Sequence, residues 1–255
     1  MNDSAVGTGA VVFVTGGGSG IGRATAQLTA TRGAAVAIVD RHEANARATA
    51  DAIVNDGGRA IALAVDVADD AAVGTAVAEV ASTFGRVTGV VTAAGIFHGP
   101  DLAPIDEVGI DDFFRVLAVN LGGTFSVIRH CLPLLADGGG AIVTIASTAA
   151  IRGHGYGPGY TASKGGVDAL TRLVATQGGP RGVRANCICP GGIDTPMTGG
   201  TFATSEAVQR AQRSIPLQRY GVAFDIATVA CFLLSDDAGY LTGQTIPVKG
   251  GSTIS

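Results

Sequence analysis

Three residues of this chain, Ser147, Tyr160 and Lys164, have the types and the spacing needed to move a proton. Tyr160 and Lys164 lie four residues apart, so on a helix they share one face and stand about one turn from each other. A phenol has an ordinary pKa of about 10, and an ammonium group beside it stabilises the phenolate and lowers that pKa. The pair therefore predicts a general acid/base for a carbonyl or alcohol oxygen.

Ser147 follows the apolar run 141–146, which is typical of a buried strand. A hydroxyl at the end of that strand, beside a tyrosine that opens the next helix, can bind the same substrate oxygen. The Tyr-x-x-x-Lys spacing alone is a weak signal. Joined to a strand-end serine and to a glycine-rich first turn, it is a strong one.

The glycine-rich turn lies between a predicted strand at 10–15 and a predicted helix at 23–31. Gly16, Gly20 and Gly22 allow a tight turn, and the helix N-terminus offers amides to a pyrophosphate. The spacing is Gly-x-x-x-Gly-x-Gly, which differs from the commonest dinucleotide fingerprint. The flanking strand and helix favour a nucleotide-binding turn over a flexible loop.

Two acidic residues follow the next two predicted strands, at 34–39 and 60–65. Asp40 can accept hydrogen bonds from the adenosine ribose, or it can cap the helix that follows, and we favour the ribose role. Asp66 can contact the adenine edge or cap the helix that begins near Asp69. The sequence does not separate these two roles.

Strands alternate with helices along the rest of the chain, which predicts an α/β fold with a doubly wound parallel sheet and a single domain. About seven strands are expected, with helices on both faces of the sheet. Further strands are predicted at 88–92, 141–146, 182–188 and 245–248, and further helices at 43–55, 69–84, 109–135, 160–177 and 224–234. Pro133 is expected to fray the long helix, and residues 198–220 predict a polar, irregular lid.

Composition excludes several classes of function. Of the 255 residues, 47% are hydrophobic and 15% are charged, and the net charge is −4, so a nucleic acid partner is not expected. No apolar run approaches a membrane span, and the N-terminus does not resemble a signal peptide, so we expect a cytoplasmic protein.

The four cysteines, Cys131, Cys187, Cys189 and Cys231, do not form a disulfide framework. Cys187 and Cys189 alternate on a predicted strand and should face one side. The four histidines have no ligand spacing, so we expect buried thiols and no metal site.

These features together resemble the short-chain dehydrogenase/reductase family over essentially the full length of the chain. The matching residues are Thr15, Gly16, Gly20, Ile21, Gly22, Asp66, Asn120, Ser147, Tyr160, Lys164, Pro190 and Gly191. The resemblance implies a Rossmann-like fold and hydride transfer between NAD(H) and a secondary alcohol or ketone. It also implies a homotetramer that pairs through the helices of Asn120 and Tyr160.

The resemblance also assigns roles to residues. Tyr160 exchanges the proton, Ser147 polarises the substrate oxygen, and Lys164 lowers the tyrosine pKa and binds the nicotinamide ribose. Asn120 anchors a water that links Lys164 to solvent. The cofactor set it implies is Gly16, Ser19, Gly20, Ile21, Asp40, Asp66, Val67, Ala94, Gly95, Tyr160, Lys164, Pro190, Gly191, Ile193 and Thr195, with Thr195 at the nicotinamide carboxamide.

Two positions depart from the family pattern. Ala93 stands where an asparagine is usual, and Lys249 stands where an acidic residue is common. Asp40 would repel the 2′-phosphate of NADP, and Ser19 stands where relatives that accept this phosphate carry a basic residue. These two residues predict a preference for NAD, although Arg41 could swing onto a phosphate.

We expect a small or medium neutral carbonyl or alcohol as substrate. The predicted pocket walls are mainly apolar, and they are Ala149, His154, Tyr156, Ile193, Met197 and Phe202, with Phe97 and His98 less certain. No arginine or lysine is expected among them, although Arg152 is close in sequence.

Three other readings stay open. A 3-oxoacyl-[acyl-carrier-protein] reductase would dock its acidic partner on a basic surface, which Arg129, Arg172, Arg181 and Arg184 could supply. A non-catalytic regulator would be expected to lose Tyr160 or Lys164. A sugar-nucleotide epimerase would need a larger C-terminal domain.

Overall fold

A computed structural model describes residues 7–97, 99–135, 139–152, 156–199, 202 and 204–252. The strands are β1 (Val11–Thr15), β2 (Ala35–Asp40), β3 (Arg59–Ala64), β4 (Gly89–Thr92), β5 (Gly140–Ile145), β6 (Val183–Pro190), β7 (Ile193–Asp194), β8 (Gly221–Val222) and β9 (Thr245–Val248). The α-helices are α1 (Gly20–Thr31), α2 (Glu43–Asn55), α3 (Asp70–Phe84), α4 (Ile110–Leu117), α5 (Gly123–Leu135), α6 (Pro158–Gly178), α7 (Ser205–Ser214) and α8 (Ala223–Leu234).

Seven of these strands form one parallel sheet in the order β3-β2-β1-β4-β5-β6-β9. The predicted doubly wound parallel sheet is confirmed. The strand order reverses between β1 and β4, and in such sheets the crevice at the carboxyl ends of the strands binds ligands. The glycine-rich turn, Asp40 and Ser147 all lie at this edge.

Alternate residues of β1 divide the core into two layers. Val11 and Phe13 pack with α3, α5 and α6, whereas Val12 and Val14 pack with α1, α2 and α8. Because both faces of the sheet are covered, its central strands are apolar throughout rather than alternating. Each fully buried valine or phenylalanine contributes about 1.5–3 kcal/mol to this core.

The long helix predicted at 109–135 is interrupted. A π-helical segment, Ala118–Gly122, separates α4 from α5 and contains Asn120. The hydroxyl of Thr124, in α5, donates to the Asn120 carbonyl of this segment at 2.7 Å. Pro133 lies inside α5, which continues to Leu135, so the predicted fraying at Pro133 is wrong.

The predicted irregular lid at 198–220 also differs from the structure, because it contains α7. The Thr204 hydroxyl caps this helix by accepting from the amide of Ala207, and Ala207 and Ala211 form its buried face. This face consists only of small residues, which is why hydropathy did not reveal it. Strands β7 and β8 pair in parallel at the two ends of the segment.

No helix in the described part of the chain is both long enough and apolar enough to cross a membrane.

Candidate active site

The turn after β1 brings backbone amides to the edge of the sheet. Gly16 has φ +65°, and an added Cβ there would lie 2.8 Å from the amide nitrogen of Ala94. A Cβ on Gly22 would lie 2.2 Å from the carbonyl oxygen of Gly16, so only glycine fits. Ser19 is the N-cap of α1, yet its side chain makes no capping hydrogen bond. The turn therefore offers amides and a hydroxyl to an anion.

Asp40 binds the glycine turn rather than the body of the next helix. One carboxylate oxygen accepts from the Gly18 amide and the other from the His42 amide, each at 3.0 Å. His42 is the N-cap of α2, so Asp40 does not occupy the helix-cap position. The carboxylate lines the groove beside the turn.

The alternative role of Asp66 as a helix cap is excluded. Asp69 caps α3, with its carboxylate accepting from the Ala72 amide at 3.0 Å. Asp66 accepts from the Ala68 amide at 2.9 Å and faces the same groove as Asp40, next to Val67.

Two cavities meet at this edge of the sheet. A groove of about 630 Å³ is lined by ten residues of the predicted cofactor set, namely Gly16, Ser19, Gly20, Ile21, Asp40, Asp66, Val67, Ala94, Gly95 and Thr195. A second cavity, of about 820 Å³, is lined by Tyr160, Lys164, Pro190, Gly191 and Ile193 of the same set. Gly95, Thr195 and Met197 line both cavities, so the two form one cleft.

Tyr160 and Ser147 both line the second cavity, and a hydrogen bond links their side chains. The phenol of Tyr160 is only 8% exposed. Burial raises the pKa of Tyr160 to about 12, and the bond from Ser147 offsets part of that rise. This direction is opposite to the one expected from the sequence, because the expected effect of Lys164 does not outweigh desolvation in this structure.

Lys164 is buried one turn further along α6. Its Nζ lies 5.8 Å from the centre of the Tyr160 ring and donates to the Ile145 carbonyl at 2.8 Å. Burial lowers the pKa of Lys164 to about 8. The ammonium is thus held at the end of β5, facing Gly95 across the cleft.

The Asn120 side chain joins two elements of the site. Its Oδ1 accepts from the Ile96 amide at 2.7 Å, and its Nδ2 donates to the Ile96 carbonyl and to Ser163 Oγ, each at 3.1 Å. Asn120 thereby ties the loop after β4 to α6. Its role as a water anchor stays a prediction.

Asp101, which sequence reasoning missed, holds the start of α6. This buried carboxylate accepts from the amide of Gly159 at 2.7 Å and from the amide of Tyr160 at 2.8 Å. The residue stands in a stretch predicted as a loop, and its partners are more than fifty positions away. No local pattern pointed to it, yet it positions the backbone of Tyr160.

The second cavity is lined by some of the predicted wall residues and not by others. Tyr156, Met197 and Phe202 line it, as does Phe97. Ala149 does not line it, because it is buried in a cluster with Val116 and Tyr160. His154 and His98 lie outside the described residues.

Arg152, Arg210 and Tyr220 also line the cavity and were not predicted there. The expectation that no arginine stands among the walls is therefore wrong. Helix α7, which the sequence did not reveal, carries Arg210 to the cavity.

Cys187 and Cys189 face one side of β6, as predicted, and Asp168 of α6 joins them there. The three ligand atoms lie within 4.8 Å of one another. The Asp168 carboxylate accepts hydrogen bonds from Arg172 and Thr245, and the thiols pack against Ala146 and Val167. These contacts account for the cluster as packing, and the absence of a metal site stays a prediction.

A parallel sheet with a glycine-rich turn after β1 and a cleft at its reversal point is the architecture of dinucleotide-dependent dehydrogenases and reductases. Residues 16–253 match the family described as enoyl-(acyl carrier protein) reductase. Levodione reductase of Leifsonia aquatica is 37% identical over 96% of this chain and 95% of that protein. Cyclohexanol dehydrogenase of Acinetobacter sp. (strain SE19) is 37% identical over 95% of this chain and 94% of that protein.

A solved structure of levodione reductase superposes with a TM-score of 0.90 at 36% identity, covering 96% of this chain and 98% of that one. The chain belongs to the short-chain dehydrogenase/reductase family. It is accordingly an oxidoreductase that depends on NAD or NADP.

Proposed function

We propose that this enzyme transfers hydride between NAD(H) and a secondary alcohol or ketone, with Ser147, Tyr160, Lys164 and Asn120 as its catalytic group. The observation that carries the proposal is the meeting of the Tyr160 and Ser147 hydroxyls in the second cavity, which is continuous with the groove. A substrate oxygen bound there would lie beside a proton donor and a second hydroxyl. The relatives named for levodione and cyclohexanol support this substrate class.

The groove fits a dinucleotide. Gly16 and Gly22 allow the tight turn, since a Cβ at either position would collide with backbone atoms. This turn presents the amides at the start of α1 to a pyrophosphate. Asp40 and Asp66 stand where ribose and adenine would lie. NAD(H), when bound, supplies or accepts the hydride.

The protein residues would handle the proton. A pKa of about 12 keeps the Tyr160 phenol protonated at neutral pH, so Tyr160 can donate to a ketone oxygen as that oxygen gains negative charge. The Ser147 hydroxyl holds the same oxygen. In the oxidation direction the phenolate must form, and the nearby Lys164 ammonium would stabilise it.

NAD is the proposed cofactor because of Asp40. Its carboxylate is held in place by two backbone amides, and its negative charge would repel a 2′-phosphate. Arg41, the residue that could reverse this preference, donates from Nε to His42 Nε2 at 3.1 Å.

A homotetramer is proposed from the sequence resemblance, and exposed apolar side chains on the helices around the site support it. They are Ile110 and Phe114 on α4, Phe125 on α5 and Leu173 on α6, each at least half exposed. Light scattering at micromolar concentration tests this, and a monomer would contradict it. The cytoplasmic location also stays a prediction.

The acyl-carrier reductase finds less support in the basic residues named for it. Arg129 pairs with Asp70, and Arg172 pairs with Asp168. Arg184 donates to the carbonyls of Leu233 and Ser235, at the opposite end of β6 from the cleft. These contacts do not favour a docking surface formed by Arg129, Arg172 and Arg184, and Arg181 is the fourth residue named for it.

The deciding experiment compares cyclic and aryl ketones with an acetoacetyl thioester, using NADH and following its absorbance. We expect the ketones to be reduced with the higher kcat/KM. A thioester preference of more than tenfold would establish the acyl reductase instead. No turnover of either class with NADH or NADPH would refute the proposed function.

A further inference from the structure

The two halves of the cleft differ in charge. The groove is lined by acidic and basic side chains together, since Asp40 and Asp66 are accompanied by Arg23 and Arg41. Among the described residues that line the second cavity, the charged side chains are Arg152, Lys164 and Arg210, and none is acidic. Lys164 donates to the Ile145 carbonyl beside Tyr160. Arg152 and Arg210 place two guanidinium groups, a positive region, at the substrate end of the cleft.

Arg210 is the more available of these two arginines. It projects from the exposed side of α7, and its guanidinium makes no hydrogen bond or ion pair with any residue that the structure describes. An arginine that lines a cavity without a carboxylate partner is a natural binding group for a planar anion, because its N–H groups match two carboxylate oxygens.

Arg152 extends the positive region towards the C-terminal end of the sheet. It is partly buried and donates to the Ser252 carbonyl at 3.4 Å. Lys249 lies near it, and burial together with the charge of Arg152 lowers the pKa of Lys249. An anion beside these two cationic groups would relieve the repulsion between them.

Two groups of aromatic side chains line the same cavity as these arginines and the catalytic hydroxyls. Tyr156 stacks on Tyr160 with ring centres 5.5 Å apart, and Phe97 meets Tyr160 edge-on at 5.2 Å. Phe202 stacks on Tyr220 at 4.2 Å in another part of the wall. A cavity of about 820 Å³ lined this way suits a ring-bearing molecule larger than a simple alcohol.

We propose that the substrate carries a carboxylate in addition to the reacting carbonyl or hydroxyl, and that Arg210, with Arg152, binds this carboxylate. The inference rests on the proposed function, since the reacting oxygen is taken to lie at Tyr160 and Ser147. It replaces the neutral substrate expected from the sequence. A carboxylate at the far end would also fix which face and which end of the ring approach Tyr160.

The test compares 4-oxocyclohexanecarboxylate with its neutral isostere, 4-oxocyclohexanecarboxamide. For the wild-type enzyme with NADH at low ionic strength, we expect kcat/KM to favour the acid by about tenfold or more. In Arg210→Met, kcat/KM for the acid should fall by about tenfold more than kcat/KM for the amide falls. Arg210→Lys, which keeps the charge but not the planar fork, should fall between them.

Arg213→Met is the matched control. Arg213 lies on the same helix, contacts only Gln209 in the described residues and does not line the cavity. This variant should leave the acid-to-amide ratio unchanged. Thermal melting of each variant shows whether α7 is still folded, and Arg152→Met provides a second variant that does not touch α7.

A binding measurement separates this inference from the proposed function. Calorimetry of the enzyme with NADH should show tighter binding of cyclohexanecarboxylate than of cyclohexanecarboxamide, whether or not any ketone is turned over. Equal binding, or an equal loss of both substrates in Arg210→Met, would overturn the inference while ketone reduction still supported the proposed function. Selective loss of an acyl-carrier-protein substrate, with the free acid unaffected, would overturn it in favour of a protein partner.

Discussion

The two ends of the cleft are formed by different kinds of structural element. The groove below β1, β2 and β3 consists of backbone turns at strand ends, with Asp40 fixed by two amides. The substrate cavity is walled by side chains from α7 and from the segments after β4, β5 and β6. The first end is held by the sheet, whereas the second depends on segments that the sheet does not hold.

This difference separates what the two ends can do. A groove formed largely at the ends of sheet strands can recognise a group common to many reactions, because the sheet holds its shape. A cavity made of loop side chains can change its substrate without disturbing the sheet. Tyr160 and Lys164 stand at the boundary, on a long helix that packs against β6.

The largest effect on turnover should come from replacing Tyr160. Tyr160→Phe removes the hydroxyl that exchanges the proton, so turnover should fall by about 10²–10⁴-fold. Cofactor affinity, measured by NADH fluorescence, should change little because the groove is separate. Near-wild-type kcat in this variant would remove Tyr160 from the proposed chemistry.

Lys164→Met tests whether the ammonium group is desolvated, through the pH dependence of the free energy of unfolding. The folded pKa of Lys164, about 8, lies below the ordinary value of 10.5, so below pH 8 the buried charge costs stability. That cost should shrink as pH rises from about 8 to about 10.5, because the folded protein releases its proton first.

Lys164→Met lacks this increase of stability with pH. Urea unfolding of the cofactor-free protein should show the wild type gaining about 1–3 kcal/mol relative to Lys164→Met over this range. Parallel pH profiles for the two proteins would show that the ammonium is not desolvated.

Asp101→Ala tests whether the Asp101 carboxylate holds the start of α6. It leaves the amides of Gly159 and Tyr160 buried without their acceptor, which should cost about 1–3 kcal/mol of folding free energy and lower kcat. Asp106→Ala, in the exposed part of the same segment, is the control. If the two variants have the same melting temperature, Asp101 does not hold α6.

The smallest effect should be confined to the cofactor end. Wild-type kcat/KM should favour NADH over NADPH by at least about tenfold, and Asp40→Ala should reduce that ratio by about tenfold. The KM for the ketone should stay close to the wild-type value. Equal values for the two cofactors in the wild type would contradict the role assigned to Asp40.

The comparison also explains what the sequence could predict. Strands and helices of the cofactor end were predicted within a residue or two, apart from α1, which begins three residues earlier than predicted. Buried β-strands and the glycine turn have local signatures. Asp101 and Arg210 were missed because each acts on residues distant in the chain or from a helix with a weak apolar face. The direction of the Tyr160 pKa was wrong because desolvation depends on three-dimensional burial, which the four-residue spacing to Lys164 does not contain.

Strands β7 and β8 have a consequence for how this enzyme can be altered. By pairing Ile193 with Gly221 and Asp194 with Val222, they bring the two ends of the intervening segment together at the rim of the sheet. The segment therefore begins and ends at fixed positions. Lengthening such a loop costs only about 0.6 kcal/mol of closure free energy for each doubling of its length. Residues 195–220 can therefore be exchanged for those of a relative as one unit, as a graft that transfers α7 while leaving the strands in register.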